Sequence, residues 1–373
     1  LALQKKSSAM ANYNCKLLSK KHVDTIAKVC DLIIDQKLKD HFPLVVWQTG
    51  SGTQINMNLN EVIANKANLL LGSKLPSNKP LHPNDDINKS QSSNDTIPTA
   101  MHIATVLLIK RELLPAISKI KKTLKKKVKE FNKVIKIGRT HTQDATPIKL
   151  SNEFLAFHDQ IDYAEKKILQ SLNKLFQLAQ GGTAVGSGVN APKDFSKKFI
   201  KNLQKFTKLP FKSASNKYEA LASHDVFIEV MSSMEILTSS LFKMANDIRV
   251  LSSGPRSGIA ELILPANEPG SSIMPGKINP TQCEALSMVC AHVIGLRSSV
   301  SFACTQGHFQ LNVYNPVIIH NTLDAIQLLS DAIKSFDKNC LFGIKANLKR
   351  IKELLNNSLM LVTPLTKIIG YDL

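Results

Sequence analysis

Five stretches of the chain carry apolar residues at helical spacing over twenty residues or more. They run from Thr99 to about Ile135, from Pro147 to Gly181-Gly182, over about 219–252, from Pro280 to near Gly307, and from Pro316 to Phe336. Periodicity sustained that far leaves little chain for a sheet and points to a helix bundle. Pro115 predicts a kink in the first stretch, and Thr146-Pro147 reads as the N-cap and first residue of the second. Two shorter helices are expected within residues 1–40, another from Asn60 to Leu71 ending at Gly72, and short ones over 344–359. Apolar residues make up 43% of the chain and aromatics only 6%, which suits an aliphatic helical core better than a β-sandwich. The expectation is an all-α chain. Its first part, 1–92, is mainly helical and opens mid-pattern at Leu1, as though its start were missing. Residues 93–348 form the long-helix bundle, and 349–373 begin a truncated further domain.

The net charge of +19 raises the question of a nucleic-acid partner. Of 48 basic residues only six are Arg, the side chain that base and phosphate readers use most. The densest run, Lys119 to Lys129, places Ile120, Leu124 and Val128 on every fourth position, so its lysines read as the wet face of a helix. A compositional bias towards Lys accounts for the charge, and neither nucleic acid nor membrane is expected as a partner. No apolar run is expected to be long enough to span a bilayer. Cys15, Cys30, Cys283, Cys290, Cys304 and Cys340 form no CxxC pair. They read as free thiols in a reducing compartment, the cytoplasm, or the mitochondrial matrix should a targeting segment precede Leu1.

Between the helical stretches lie polar loops rich in glycine and hydroxyl residues. The most loaded is Gly270-Ser271-Ser272-Ile273-Met274-Pro275-Gly276-Lys277-Ile278-Asn279-Pro280. It ends in an Asn-Pro helix start and hangs Ser271, Ser272 and Lys277 before a helix N-terminus, where free N–H groups and the helix dipole favour an anion. On the residues alone, a plain Gly/Pro linker is an equal reading. Thr49-Gly50-Ser51-Gly52-Thr53-Gln54-Ile55-Asn56-Met57-Asn58 by itself is a polar turn. In His82-Pro83-Asn84-Asp85 the spacing fits no common structural-metal pattern. It leads to Ser92-Ser93-Asn94-Asp95, in a loop too long and polar to be idle. His141, in Gly138-Arg139-Thr140-His141-Thr142-Gln143-Asp144-Ala145-Thr146-Pro147, is by itself more often structural than catalytic. Glu284 equally suits the first turn of any helix. The Gly-rich turn 181–190 lacks the lysine of a phosphate loop, and no cofactor or metal motif is found.

Together these loops resemble one family. GSSIMPGKINP fills every fixed position of GSSxMPxKxN, the signature of the fumarase/aspartase superfamily, and TGSGTQINMN, HPND, SSND and GRTHTQDATP look like its other motifs. The resemblance covers essentially the whole chain, which is shorter than the family at both ends. His141, the glycine of MPGK and the Asp of HPND are similar to fumarases rather than to aspartases, where Gln typically stands at the His141 position. The alternatives are an ammonia-lyase of the same fold, or a non-catalytic structural homologue. Ile55 stands where fumarases often have Ser, and Lys79 where some relatives have Arg.

The resemblance implies a homotetramer whose five long helices per subunit build a twenty-helix core, each site being shared by three subunits. It implies reversible trans addition of water to fumarate, giving (S)-malate, without a cofactor. Ser271 would be the C3 base and His141 would act through a water. Glu284 would orient His141, and Lys277 and Asn279 would stabilise the charge that develops on a carboxylate. Ser51, Thr53, Ser92, Ser93, Asn94, Thr140 and Ser272 would bind the dicarboxylate, with His82, Asn84 and Asp85 at a second anion site. Geometry agrees with sharing. The Thr99–Ile135 helix would span roughly 55 Å at about 1.5 Å per residue, so Asn94 before it and His141 after it cannot meet within one subunit.

Overall fold

A computed structural model describes residues 1–270, 273–274 and 276–370, without the side chains of 364–366 and 369. In chain order the helices and strands are α1 (Ala2–Asn14), α2 (Lys20–Ile34), α3 (Thr53–Leu70), α4 (Ser93–Leu108), α5 (Leu114–Glu130), β1 (Ile135–Thr140), β2 (Gln143–Lys149), α6 (Leu150–Leu175), β3 (Gln177–Leu178) and α7 (Phe195–Thr207). There follow β4 (Lys212–Ser213), α8 (Lys217–Ala222), α9 (Asp225–Leu251), β5 (Leu262–Ile263), α10 (Thr281–Cys304), β6 (Gly307–His308), β7 (Leu311–Asn312), α11 (Asn315–Asn339), β8 (Lys345–Ala346) and α12 (Leu348–Asn357). The strands pair only two by two, and β1–β2 is the longest ladder among the described residues.

The long helices form because their buried positions alternate three and four residues apart. In α9 the buried stripe runs Phe227, Val230, Met234, Leu237, Leu241, Met244, Ile248, Leu251, and in α6 it runs Leu150, Phe154, Phe157, Ile161, Ala164, Ile168, Leu172, Leu175. That is the seven-residue repeat of a bundle seam. In α10 the stripe is Cys283, Leu286, Cys290, Val293, Val300 and Cys304.

The chain divides into two compact units. One holds residues 1–108, 170–232 and 296–324. Within it α1, α2 and α3 share a core of Val23, Ile26, Cys30, Leu59 and Ile63. α2 is started by Ser19, whose hydroxyl accepts the His22 N–H at 3.2 Å. Removing Ile26 to Ala would cost about 2–5 kcal/mol, since the residue is wholly buried. The other unit holds residues 109–169, 233–295 and 325–373. There Phe131, Phe154 and Phe157 stack edge to face at 5.0 and 5.8 Å, tying the end of α5 to α6.

The structure corrects several local expectations. The first long helical run spans Ser93 to Glu130, starting earlier and stopping sooner than predicted, so Ser93 and Asn94 open the helix rather than precede it. Its irregularity is a π-helical segment, Ile109–Leu113, just ahead of Pro115. Thr146-Pro147 does not start a helix. Both residues lie in β2, where Pro147 faces Ile137 beside a register shift, a position that needs no N–H from proline. α6 starts at Leu150 and ends at Leu175, well short of Gly181. The helix expected over 219–252 breaks at Ser223-His224, where buried His224 turns inward to Asn315 at 2.7 Å. Within the lysine run, Lys127 is buried rather than wet. Its ammonium donates to the Ile344 carbonyl at 2.7 Å and pairs with Glu130 at 2.9 Å. α10 also overturns the expectation on bilayer length. Its mean hydropathy of 1.3 over 18 residues passes that test although Ser, His and Arg interrupt it, and only 22% of that window is buried.

Candidate functional site

The predicted site residues fall into two groups, one in each unit. In the first unit, two helix N-termini lie side by side. α3 begins at Thr53 after Gly52, whose φ of +76° is left-handed. A Cβ on Gly52 would meet the Ile97 side chain of α4 at 2.9 Å, so glycine allows the two helix starts to approach. α4 is capped reciprocally. The Ser92 hydroxyl accepts the Asn94 N–H at 3.2 Å, while the Asp95 carboxylate accepts the Ser92 N–H at 3.0 Å. Asn56, one turn into α3 and fully buried, donates to the Ser93 hydroxyl oxygen at 2.9 Å. The Ser51 and Thr53 hydroxyls lie 2.9 Å apart. Asn94 donates to the Ala184 carbonyl at 2.8 Å, fixing its amide against the Gly-rich turn.

This packing leaves protons to offer. Ser93 accepts from Asn56 and Ser92 accepts from Asn94, so each hydroxyl hydrogen is free to point outward. Two helix dipoles and two such hydroxyls are groups of the kind that can receive an anion. In the same unit lie two buried titratable groups, Lys5 and Asp95, the first of which sequence reasoning did not single out. The Lys5 ammonium donates to Asn88 Oδ1 at 2.8 Å and to Gln91 Oε1 at 3.1 Å. Burial holds Lys5 down at about 7 despite the raising influence of Asp95. Asp95 accepts the Gly181 and Thr183 N–H groups at 2.9 Å each, yet burial raises it to about 6 against those bonds. The Ser-x-x-Asp spacing of Ser92 and Asp95 was the available signal for the cap; nothing in the sequence pointed to Lys5.

His82, Asn84 and Asp85 form a self-capped turn. His82 Nδ1 accepts the Asn84 and Asp85 N–H groups at 3.2 Å each and lies 3.5 Å from the Asp85 carboxylate. Asn84 and Asp85 are exposed.

The second unit carries the other group. β1 and β2 pair to Thr140↔Gln143, so His141 and Thr142 alone make the turn, with φ of +54° and +62°. Two consecutive left-handed residues are a type I′ hairpin turn, which matches the strand twist. Gly or Asn usually fills such positions; here the turn lifts the His141 side chain into the open. In the signature loop, Gly270 has φ +75°, and a Cβ there would sit 2.5 Å from the Lys277 carbonyl, so only glycine lets these parts of the loop meet. Lys277, Asn279 and Glu284 are exposed, Glu284 in the first turn of α10 with its N–H donating to the Pro280 carbonyl at 3.1 Å. The helix thus starts at Thr281, one residue later than expected. Ser271 and Ser272 lie outside the described residues.

Underneath the hairpin is a cluster that sequence reasoning missed. The Arg139 guanidinium makes two 2.9 Å bonds to the Glu261 carboxylate, and Lys136 lies 3.0 Å from the same carboxylate and 2.7 Å from Glu153. Burial raises the Glu153 carboxyl in spite of Lys136. Among the described residues no group of three or more His, Cys, Asp or Glu is arranged to hold a metal ion.

The described fold is one of long seamed helices whose connecting loops carry hydroxyl, amide, imidazole and ammonium groups. The profile of a family described as Lyase matches residues 1–295. A Haemophilus influenzae protein, fumarate hydratase class II, is 55% identical over 368 residues, covering 99% of this chain and 79% of the relative. The rat mitochondrial fumarate hydratase is 55% identical over 355 residues, covering 95% of this chain and 70% of the relative. The crystal structure of a class II fumarase from Schistosoma mansoni superposes with a TM-score of 0.96 at 42% identity, over 100% of this chain and 81% of that one. The chain belongs to the class II fumarase family.

Proposed function

We propose that the protein hydrates fumarate reversibly to (S)-malate. The observation that carries this is identity of 55% to class II fumarate hydratases across nearly the whole chain, with every fixed position of the signature loop filled. In the dehydration direction the hard step is removal of the C3 proton, which we assign to Ser271. As the proton leaves, charge moves onto the adjacent carboxylate, where the Lys277 ammonium and Asn279 amide stabilise it. The C2 hydroxyl departs as water from the opposite face, where His141, acting through a bound water, supplies the proton. Glu284 sets the tautomer of His141. Ser51, Thr53, Ser92, Ser93, Asn94, Thr140 and Ser272 hold the two carboxylates. The paired helix starts of α3 and α4 and the hydroxyl protons left on Ser92 and Ser93 support that role. His82, Asn84 and Asp85 form a second anion site, supported only by the motif.

The working form is a homotetramer with each site drawn from three subunits, built on the long helices of 93–348. Two observations support this. The helical run from Ser93 to Glu130 separates Asn94 from His141 along the chain. On the single chain α10 leaves Met288 67% and Phe302 63% exposed, and an apolar helix face of that kind is suited to a second copy. Five of the six free cysteines are buried, which suits a reducing compartment, cytoplasm or mitochondrial matrix. Loss of fumarate absorbance with formation of (S)-malate tests the reading. Ammonia release from aspartate without malate turnover would contradict it.

A further inference from the structure

The cluster below the hairpin joins four charged side chains. Lys136 is 1% and Glu261 0% exposed, and with Arg139 and Glu153 they make two cations and two anions that balance. Placing four charges there is expensive unless geometry is tightly matched. The match is built from the backbone. Lys136 and Arg139, three residues apart, would face opposite sides of a regular strand. The register slips at Gly138, where Ala145 and Thr146 oppose one residue and a Cβ would meet the Thr146 carbonyl at 2.8 Å. Beside that irregularity both cations reach one carboxylate, Lys136 at 3.0 Å and Arg139 at 2.9 Å from Glu261. Glu261 in turn is held at both backbone ends: its N–H donates to the Leu251 carbonyl at 2.8 Å and its carbonyl accepts the Asn347 N–H at 2.9 Å. The Glu261 carboxylate is therefore a fixed point, and Arg139 binds it through a planar two-pronged contact that sets orientation as well as distance.

Arg139 is two residues from His141, in a turn whose second residue is the β-branched Thr142 at positive φ. Such a turn does not hold its shape by local preference alone. We propose that Glu261, acting through Arg139, is a positioning residue for His141: it fixes the hairpin tip that presents the imidazole. The proposal rests on the reading of His141 as the group that acts through water.

The test uses the full chain in its assembled form, with kcat and KM for fumarate and a melting curve measured on each variant. Arg139→Lys keeps the charge but loses the two-pronged contact. It should lower kcat about ten- to hundredfold, the scale of a misplaced catalytic group, with KM changed less than about twofold. Glu261→Asp, which keeps both charges, should do the same and stands in if the first variant does not fold. Glu153→Gln removes a member of the cluster that pairs with Lys136 at 2.7 Å rather than holding Arg139 in the two-pronged contact. It should lower the melting temperature while kcat stays within about twofold. In a His141→Asn background, Arg139→Lys should cause no further loss. Wild-type kcat in both Arg139→Lys and Glu261→Asp would overturn the proposal. So would a further tenfold loss on the His141→Asn background, or a fall in kcat for Glu153→Gln equal to that of Arg139→Lys. Wild-type activity in His141→Asn alone would instead overturn the role of His141, and that outcome is read without any change at Arg139.

Discussion

Replacing Asn56 with Asp changes one atom in a fully buried site and inverts the direction of a hydrogen bond. In the native arrangement Asn56 Nδ2 donates to Ser93 Oγ at 2.9 Å and to Asn88 Oδ1 at 3.3 Å, leaving the Ser93 proton for the substrate carboxylate we propose it binds. An aspartate can only accept, so Ser93 must turn its proton inward. The Lys5 ammonium, 2.8 Å from Asn88 Oδ1, lies one residue away and offsets the new charge, so the fold should survive. What is lost is a hydrogen bond to a charged group, worth about 1.5–3 kcal/mol. That corresponds to roughly a 10- to 150-fold rise in KM for fumarate. Asn56→Ala removes the donor without adding an acceptor, leaves the Ser93 proton free, and should raise KM only about fivefold, near 1 kcal/mol. Steady-state hydration followed by fumarate absorbance measures both. A KM within twofold of wild type for the Asp variant, or equal effects of Ala and Asp, would refute the reasoning. So would a large further loss when Asn56→Asp is added to Ser93→Ala.

Two further expectations concern stability. His102 and His224 are each held down at about 4 by burial, so both stay neutral in the fold while the unfolded chain titrates near 6.5. Their contribution is present above pH 6.5 and is lost as pH falls from about 6.5 to 4, on the order of 3 kcal/mol for each. Asp95, raised to about 6, acts in the opposite sense between pH 6 and 4, so the measurement is the difference between wild type and His224→Gln in denaturant titrations at pH 7 and 4.5. The variant should lose less stability on acidification; an equal loss would contradict the assignment. Gly50→Ala would place a Cβ 1.6 Å from the Val313 carbonyl and break the Asn315 N–H bond to Gly50, so it should destabilise by about 3 kcal/mol. A melting curve unchanged from wild type would show that the two loops move apart freely.

The long helices were legible because their seams repeat locally, every three and four residues, and a local pattern survives without knowledge of the partner. The hairpin that carries His141 was not. Its turn has neither Gly nor Asn, and Thr146-Pro147 mimics the start of a helix, so the signals that normally mark a two-residue turn were absent. Ser93 and Asn94 could be named from their motif, whereas the partners that fix them lie far off in sequence: Asn56 is 37 residues from Ser93, and Ala184 is 90 from Asn94. Glu261 lies 122 residues from Arg139, and an isolated Glu ahead of a short apolar run announces nothing about an ion cluster. Lys127 shows the same limit within a motif: among seven lysines of one apparent wet face, one ammonium finds a carbonyl from the far end of the chain.

The central claim, a fumarate-hydrating site shared between subunits, is tested most directly by mixing two inactive variants. His141→Asn and the double variant Ser93→Ala/Asn94→Ala should each lose most activity. Unfolded, mixed and refolded together, they should form tetramers in which some sites draw His141 from one chain and Ser93-Asn94 from another, both intact. Fumarate hydration should then return to a fraction of the wild-type rate set by random mixing. Mixed tetramers, confirmed by mass, that remain as inactive as either parent would contradict the shared site.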